Sequence, residues 1–336
     1  MRDRGHRSVI VARGGDELAR RATDRGVEVI GLTPHGELDV VAAFTLRRLI
    51  RGSGARIVHA HTAHAAALAA LGTVGTDARV VIARRVDFRL KRNIGTRLKY
   101  ARAHAVIAVS RAVADIVAAG GVRRDRIHVV PDGVDLQRTV KAADGGTLAS
   151  LGVPGDVPLV VQVAALVPHK DPLTFVGAMD VVRQRVPAVR ALLVGEGPLR
   201  AEVEAEIGRL KLDGVVTLTG FRADADELLA AAHVATLSSA EEGMGSVLLD
   251  AMTFEVPIAA TRAGGIAEVV MHGETGLLSP ARDPSALAAN IVRLLTDPSL
   301  ATSVTGKARE RVKEFSVDRM VERTLEVYSA VGASLR

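Results

Sequence analysis

The stretch from Ser239 to Glu268 holds acids and glycines in a pattern that could do chemistry. Glu242 and Asp250 bracket seven residues, Gly-Met-Gly-Ser-Val-Leu-Leu. Glu242 falls in a turn where Gly243 and Gly245, on either side of Met244, let a backbone pass close to a ligand. Asp250 falls on the helix that starts after Ser246, with Val247, Leu248, Leu249 and Met252 as its buried side. Free N–H groups of the turn and the positive end of the helix converge on one spot, which suits an anion. An apolar strand then leads to Gly264-Gly265 and a helix carrying Glu268. Two such turns at neighbouring strand ends suit a phosphate-and-sugar ligand, with amides for phosphate and carboxylates for hydroxyls. The plainer alternative is a pair of ordinary strand-to-helix connections.

Other candidate clusters point less sharply. His59, His61 and His64 have a spacing that invites metal ligation, but a strand end sends His59 and His61 to one face while His64 belongs to the next helix, so no metal site is expected. Asp224 and Asp226 precede a helix over Glu227–His233 and read as caps and dipole partners, not metal ligands. There is no Cys, hence no disulfide, no thiol nucleophile and no thiolate metal site.

Charge is uneven along the chain. Of the net +6, residues 1–150 carry +12 and residues 151–336 carry −6. The densest basic stretch runs from Arg84 to Arg102 and includes Arg85, Arg89, Lys91, Arg92, Arg97 and Lys99 against the single acid Asp87. An anionic partner is expected there. Nucleic acid is a poor candidate, since only Phe88 and Tyr100 lie nearby as stacking platforms. A membrane surface or a phosphorylated acceptor fits better. The N-terminal residues lack the apolar run of a signal peptide and no long uncharged apolar span exists, so a cytoplasmic protein, peripheral at the inner membrane face if lipid is the partner, is the expectation.

The elements that must position these residues are short β-branched runs alternating with helical segments. Strands are predicted at Ser8–Ala12, Val27–Leu32, Ile57–Ala60, Val80–Ala83, Ala105–Val109 and Ile127–Val130, and again at Leu159–Val163, Ala191–Val194, Val215–Leu218, Val234–Leu237, Pro257–Ala260 and Gly276–Leu278. Two such series predict two doubly wound α/β domains, over 1–145 and 146–316, with a Gly-, Asp- and Pro-rich linker across Asp132–Asp156 and a last helix in 317–336. Ligands of open α/β sheets bind at the carboxyl ends of the strands, so the site belongs in the cleft between the domains.

Glu242-Gly-Met-Gly-Ser-Val-Leu-Leu-Asp250, followed by Ala-Gly264-Gly265-Ile-Ala-Glu268-Val-Val and Gly273-Glu-Thr-Gly-Leu-Leu, resembles the donor-site signature of family-4 retaining glycosyltransferases of the GT-B fold. That family's motif ends in Glu, where this chain has Asp250, one methylene shorter. The resemblance implies two Rossmann-like domains facing across a cleft, a nucleotide diphosphate sugar as donor with UDP favoured, no metal or other cofactor, and the last helix crossing back to the first domain. It also implies residue roles. Lys170 would hold the diphosphate, and Glu242 would take the hydroxyls of the transferred sugar. Asp250 would take the ribose, while Gly243, Met244, Gly245, Ser246, Gly264, Gly265 and Glu268 would complete the donor site. Phe221 and Arg222 would lie at the base, with Phe221 equally readable as core, and Glu196 would lie in a turn at the cleft floor. His61 would face the cleft to touch sugar or acceptor. Arg84, Arg85, Arg89, Lys91 and Arg92 would meet an anionic or lipid-linked acceptor or the membrane.

The chain departs from the family at two points. Where the family places an Arg five residues before the phosphate-binding Lys, this chain has Ala165, with Arg262 or the amides of Gly243–Ser246 as compensation. Arg4-Gly5-His6 matches the end of the family's first helix, as if the central strand and most of that helix were absent. The gap would then lie beside Val9, Val11, Val58, Val80 and Ile82. The alternative is that Ser8–Ala12 is itself the central strand and Gly14-Gly15 the first loop. Both departures favour a rival reading, a nucleotide-sugar-binding partner protein without transferase activity. A nicotinamide-dependent oxidoreductase is disfavoured because no strand is followed by Gly-x-Gly-x-x-Gly.

Overall fold

The computed structural model describes residues 4–36, 39–90 and 93–333. Its first half runs β1 (Val9–Ala12), α1 (Glu17–Asp24), β2 (Glu28–Gly31), α2 (Val40–Ser53), β3 (Ile57–Ala60), α3 (Ala63–Gly72), β4 (Arg79–Arg84), α4 (Ile94–Ala101), β5 (Ala105–Ala108), α5 (Arg111–Ala119) and β6 (Ile127–Val129). Its second runs α6 (Gly145–Ser150), β7 (Leu159–Val163), α7 (Pro172–Arg185), β8 (Arg190–Val194), α8 (Arg200–Arg209), β9 (Val216–Gly220), α9 (Ala225–Ala230), β10 (Val234–Leu237), α10 (Val247–Thr253), β11 (Ile258–Thr261), α11 (Ile266–Val269), β12 (Leu277–Ser279), α12 (Pro284–Thr296) and α13 (Pro298–Arg311). Helix α14 (Val317–Ala333) follows. Each predicted strand is present, with its ends moved by no more than two residues.

All the strand pairs are parallel. Sheets of this kind are covered on both faces, which is why β5, β10 and β11 are buried at every position and read as unbroken apolar or small-residue runs. Helices start where polar side chains can accept the free N–H groups. Asp39 accepts from Ala42 at 2.9 Å, Thr62 from Ala65 at 3.1 Å and Ser110 from Val113 at 3.2 Å.

The second sheet has the order β12-β11-β10-β7-β8-β9. Its winding reverses between β7 and β10, so the crevice for a ligand lies at the carboxyl ends of those two strands. The first half forms no single sheet: β1 pairs only with β2, and a separate sheet runs β3-β4-β5-β6. The alternative with Ser8–Ala12 as a central strand is therefore not met, and Val11 is 39% exposed. Contrary to expectation, Val80 and Ile82 do not flank the division; they lie in β4, paired on both sides and almost fully buried. Val58 lies in β3, an edge strand of its sheet. Helix α14 returns to the first half, where Val327 and Val331 pack with Val81, Ala105, Ile107 and Val130.

Candidate active site

At the reversal, one loop leaves β7 and another leaves β10, and a buried polar network ties them together. The Gln162 amide donates to Ser238 Oγ at 3.0 Å, and Ser238 Oγ donates to the carbonyl of Asp171 at 2.8 Å. Ala240 N–H donates to the carbonyl of His169 at 2.9 Å. Gln162 and Ser238 are fully buried, so each polar atom must find a partner inside the protein, and this fixes the loops with respect to each other. The consequence is that Lys170 Nζ meets Glu242 Oε2 in an ion pair. Ser239 Oγ donates to the same oxygen at 3.0 Å. The residues expected at phosphate and sugar are thus brought together, each neutralising the other.

The main-chain N–H groups of Gly243, Met244, Gly245 and Ser246 find no acceptor among the described residues. They follow Glu242 in the glycine turn that the sequence predicts. The glycines have another use besides closeness to a ligand. A Cβ on Gly243 would lie 2.2 Å from the carbonyl oxygen of Arg85 in the first half. One on Gly265 would lie 2.2 Å from the Gly243 carbonyl oxygen and 2.9 Å from Ser110. The two Gly turns interlock with each other and with the first half of the chain, closing the cleft by backbone-to-backbone approach.

Glu268 is placed differently from its expected donor role. Its carboxylate accepts the N–H of Arg111 at 2.9 Å and of Ala112 at 3.0 Å, capping α5 across the cleft. Asp250 accepts from Arg138 Nη1 at 3.3 Å. Arg138 also pairs with Asp226 and stacks over Phe254 at 5.7 Å. Burial pushes the Asp250 carboxyl above its ordinary range, and Arg138 partly offsets this. Phe221 is not core: it is 79% exposed at the end of β9. Arg222 is held by Asp224 at 2.7 Å. Glu196 accepts from Arg200 at 2.7 Å and sits against Gly220. Arg262 is exposed at the carboxyl end of β11.

In the first half, His59 and His61 stack with ring centres 4.2 Å apart, and His64 stands apart on α3. His59 Nδ1 lies 2.6 Å from Tyr328 Oη on α14. Desolvation, with the neighbouring His61 ring, lowers the His59 pKa to about 3. Desolvation and then the Arg85 cation lower that of His61, while burial pushes Tyr328 up to about 12. The expected basic patch is partly turned inward. Arg84 donates to the carbonyl of Phe88, Arg85 pairs with Asp132 at 2.6 Å, and Phe88 packs edge-on against His169 at 5.1 Å. Arg89 is exposed, while Lys91 and Arg92 lie outside the described residues.

Sequence reasoning missed Arg138 and Tyr328. Arg138 lies in a linker without periodicity, and Tyr328 gave no signal beyond being one of two tyrosines.

Comparison with known proteins agrees with this layout. Residues 1–138 match the family described as Glycosyltransferase Family 4, and residues 147–311 match Glycosyl transferases group 1. The N-acetyl-alpha-D-glucosaminyl L-malate synthase of Bacillus anthracis is 36% identical over 140 residues, covering 41% of this chain and 37% of that protein. The alpha-maltose-1-phosphate synthase of Mycolicibacterium smegmatis is 32% identical over 251 residues, covering 69% of this chain and 64% of that protein. The chain thus spans less than two thirds of the length of either relative. The crystal structure of Anabaena Alr3699/HepE in complex with UDP and glucose superposes with a TM-score of 0.85 at 22% identity, over 96% of this chain and 91% of that one. With a sheet reversal that brings Lys170 to Glu242 and family matches over both halves, the chain belongs to family 4 of the GT-B glycosyltransferases.

Proposed function

We propose that the chain transfers a glycosyl group, with retention of configuration, from a nucleotide diphosphate sugar to an acceptor. The observation that carries the reading is the Lys170–Glu242 pair beside the unengaged amides of Gly243–Ser246. A diphosphate entering this crevice would draw Lys170 away from Glu242 and accept hydrogen bonds from the amides. The freed Glu242 carboxylate would then accept hydrogen bonds from the sugar's hydroxyls. UDP is the favoured nucleotide, since Anabaena Alr3699/HepE is similar in fold and was solved with UDP.

The proposed route uses no covalent carboxylate nucleophile. In the proposed step the C1–O bond to the diphosphate breaks with its electron pair passing to the leaving oxygen. The acceptor oxygen bonds C1 on the same face, and its proton passes to the departing diphosphate. Lys170, Arg262 and the amides stabilise the charge that develops there, so the reading requires no metal. His61 lines the acceptor side, and cleft closure excludes water that would hydrolyse the donor. We place the protein in the cytoplasm.

The test is a panel of nucleotide sugars with and without a chelator, reading release of nucleotide diphosphate, with anomeric configuration of the product read by NMR. Release only when divalent metal is present would overturn the metal-free mechanism. Donor binding without any release would instead support the reading as a binding partner.

A further inference from the structure

The first half carries a surface that the donor site does not use. On α2, Ala42, Ala43, Leu46 and Ile50 are buried, yet Val40, Val41 and Phe44 in the first turns are 74%, 78% and 64% exposed. On α4, Ile94 and Leu98 are 76% and 62% exposed. Apolar side chains at that exposure are unremarkable singly, but a group of them marks a contact surface.

These turns lie at one end of the domain. Arg47 and Arg51, four residues apart on α2, donate to the carbonyls of Leu71 at 3.1 Å and Gly75 at 2.9 Å, which are also four residues apart. Hence α2 and α3 run side by side in the same direction. Lys99 Nζ donates to the carbonyl of Ala63 at 3.2 Å, which sets α4 against the start of α3. Both α3 and α4 follow parallel strands, so this end is the carboxyl end of the sheet, where His61 stands.

Apart from Asp39, which caps α2 and is largely buried, the charge along these turns has one sign. No Asp or Glu occurs between Asp39 and Asp77, or between Asp87 and Asp115. Arg48 and Arg97 are exposed and meet no carboxylate among the described residues. Apolar turns flanked by unneutralised cations are what an anionic bilayer surface accepts. A second copy docking through the same face would set these cations against each other.

We propose that the first turns of α2 and α4, with Arg48 and Arg97, form a docking face for an anionic lipid bilayer, which delivers a hydrocarbon-anchored acceptor to the cleft mouth beside His61. The delivery role rests on the glycosyl-transfer reading; the docking face does not. It replaces Arg84 and Arg85, which are engaged by the Phe88 carbonyl and by Asp132, as the membrane contact.

The test is flotation of the full chain with vesicles of phosphatidylcholine alone or mixed with phosphatidylglycerol. The protein is expected to float only with the anionic vesicles. A variant combining Val41→Gln, Phe44→Gln, Ile94→Gln and Leu98→Gln should bind them about tenfold or more weakly. Arg48→Gln with Arg97→Gln should do the same. All of these positions are exposed, so thermal unfolding and lipid-free release of nucleotide diphosphate should be unchanged. An apolar variant that floats like the parent, or a parent that never floats, overturns the proposal. Loss of self-association with unchanged flotation also overturns it, by assigning the face to a second copy. Flotation without donor turnover supports the docking face while removing the glycosyl-transfer reading.

Discussion

Glu268 and Arg111 meet across the cleft: the carboxylate of one accepts the backbone N–H of the other at 2.9 Å, at the first residue of α5. A negative group there satisfies free N–H donors and opposes the helix dipole. Glu268→Ala is expected to lower stability by about 1 kcal/mol, measured as a shift in the urea midpoint. Glu268→Gln, which keeps an acceptor without the charge, should fall between the two. Equal midpoints for all three proteins would show that the cap contributes nothing to holding the halves together.

Lys170→Ala should abolish donor turnover, and turnover within about threefold of the parent would remove Lys170 from the mechanism. The structure adds a stability cost. The Glu242 side chain is only 11% exposed, so removing its cation leaves a largely buried carboxylate, at roughly 1–3 kcal/mol. Combining Lys170→Ala with Glu242→Gln should recover much of that stability without restoring turnover. Calorimetry beside the release assay separates the two effects.

Glu242→Ala should cost more activity than Asp250→Ala, because the first acid faces the transferred sugar and the second the ribose. The reverse order would exchange the two assignments. Arg138 adds a pH effect. It opposes the burial that raises the Asp250 pKa, so in Arg138→Ala the carboxyl protonates more readily. The donor KM of that variant should climb more steeply than the parent's as pH falls from neutrality into the acid range.

His59 carries a stability prediction with a definite sign. Its folded pKa is lowered from 6.5 to about 3, so between those values the unfolded chain binds the proton that the folded one refuses. Stability from this group is full above pH 6.5 and is lost as pH falls toward 3, by on the order of 5 kcal/mol in all. His59→Phe should flatten denaturation midpoints across that window. A variant with the parent's acid sensitivity would show that the loss comes from other groups.

The strands were legible because buried parallel strands have to be short apolar runs, and Leu159–Val163 or Val234–Leu237 can be little else. Glu242 and Lys170 were legible as candidates because glycine turns and a strand-end Lys leave local marks, and the structure brings the two together. Contacts between distant segments left none. That Glu268 would cap α5, that Arg138 would reach Asp250, or that Gly243 makes room for the Arg85 carbonyl depends on how two sheets face each other, which no local pattern encodes. Phe221 was ambiguous for a simpler reason: just past the end of a strand, burial depends on what lies opposite, and here the ring is left exposed.

Because Val327 and Val331 complete the packing over Val81 and Ile107, the first half of the chain owns part of its interior only through the final helix. During synthesis its strands leave the ribosome long before that helix exists, and they must wait, with one face uncovered, while the whole second sheet is made. The second sheet draws the last of its core from α13 and the turn after it, and so can close before α14 emerges. The order of translation and the order of folding therefore run in opposite directions, and a growing chain stalled before Val317 would present an apolar surface that the finished protein hides.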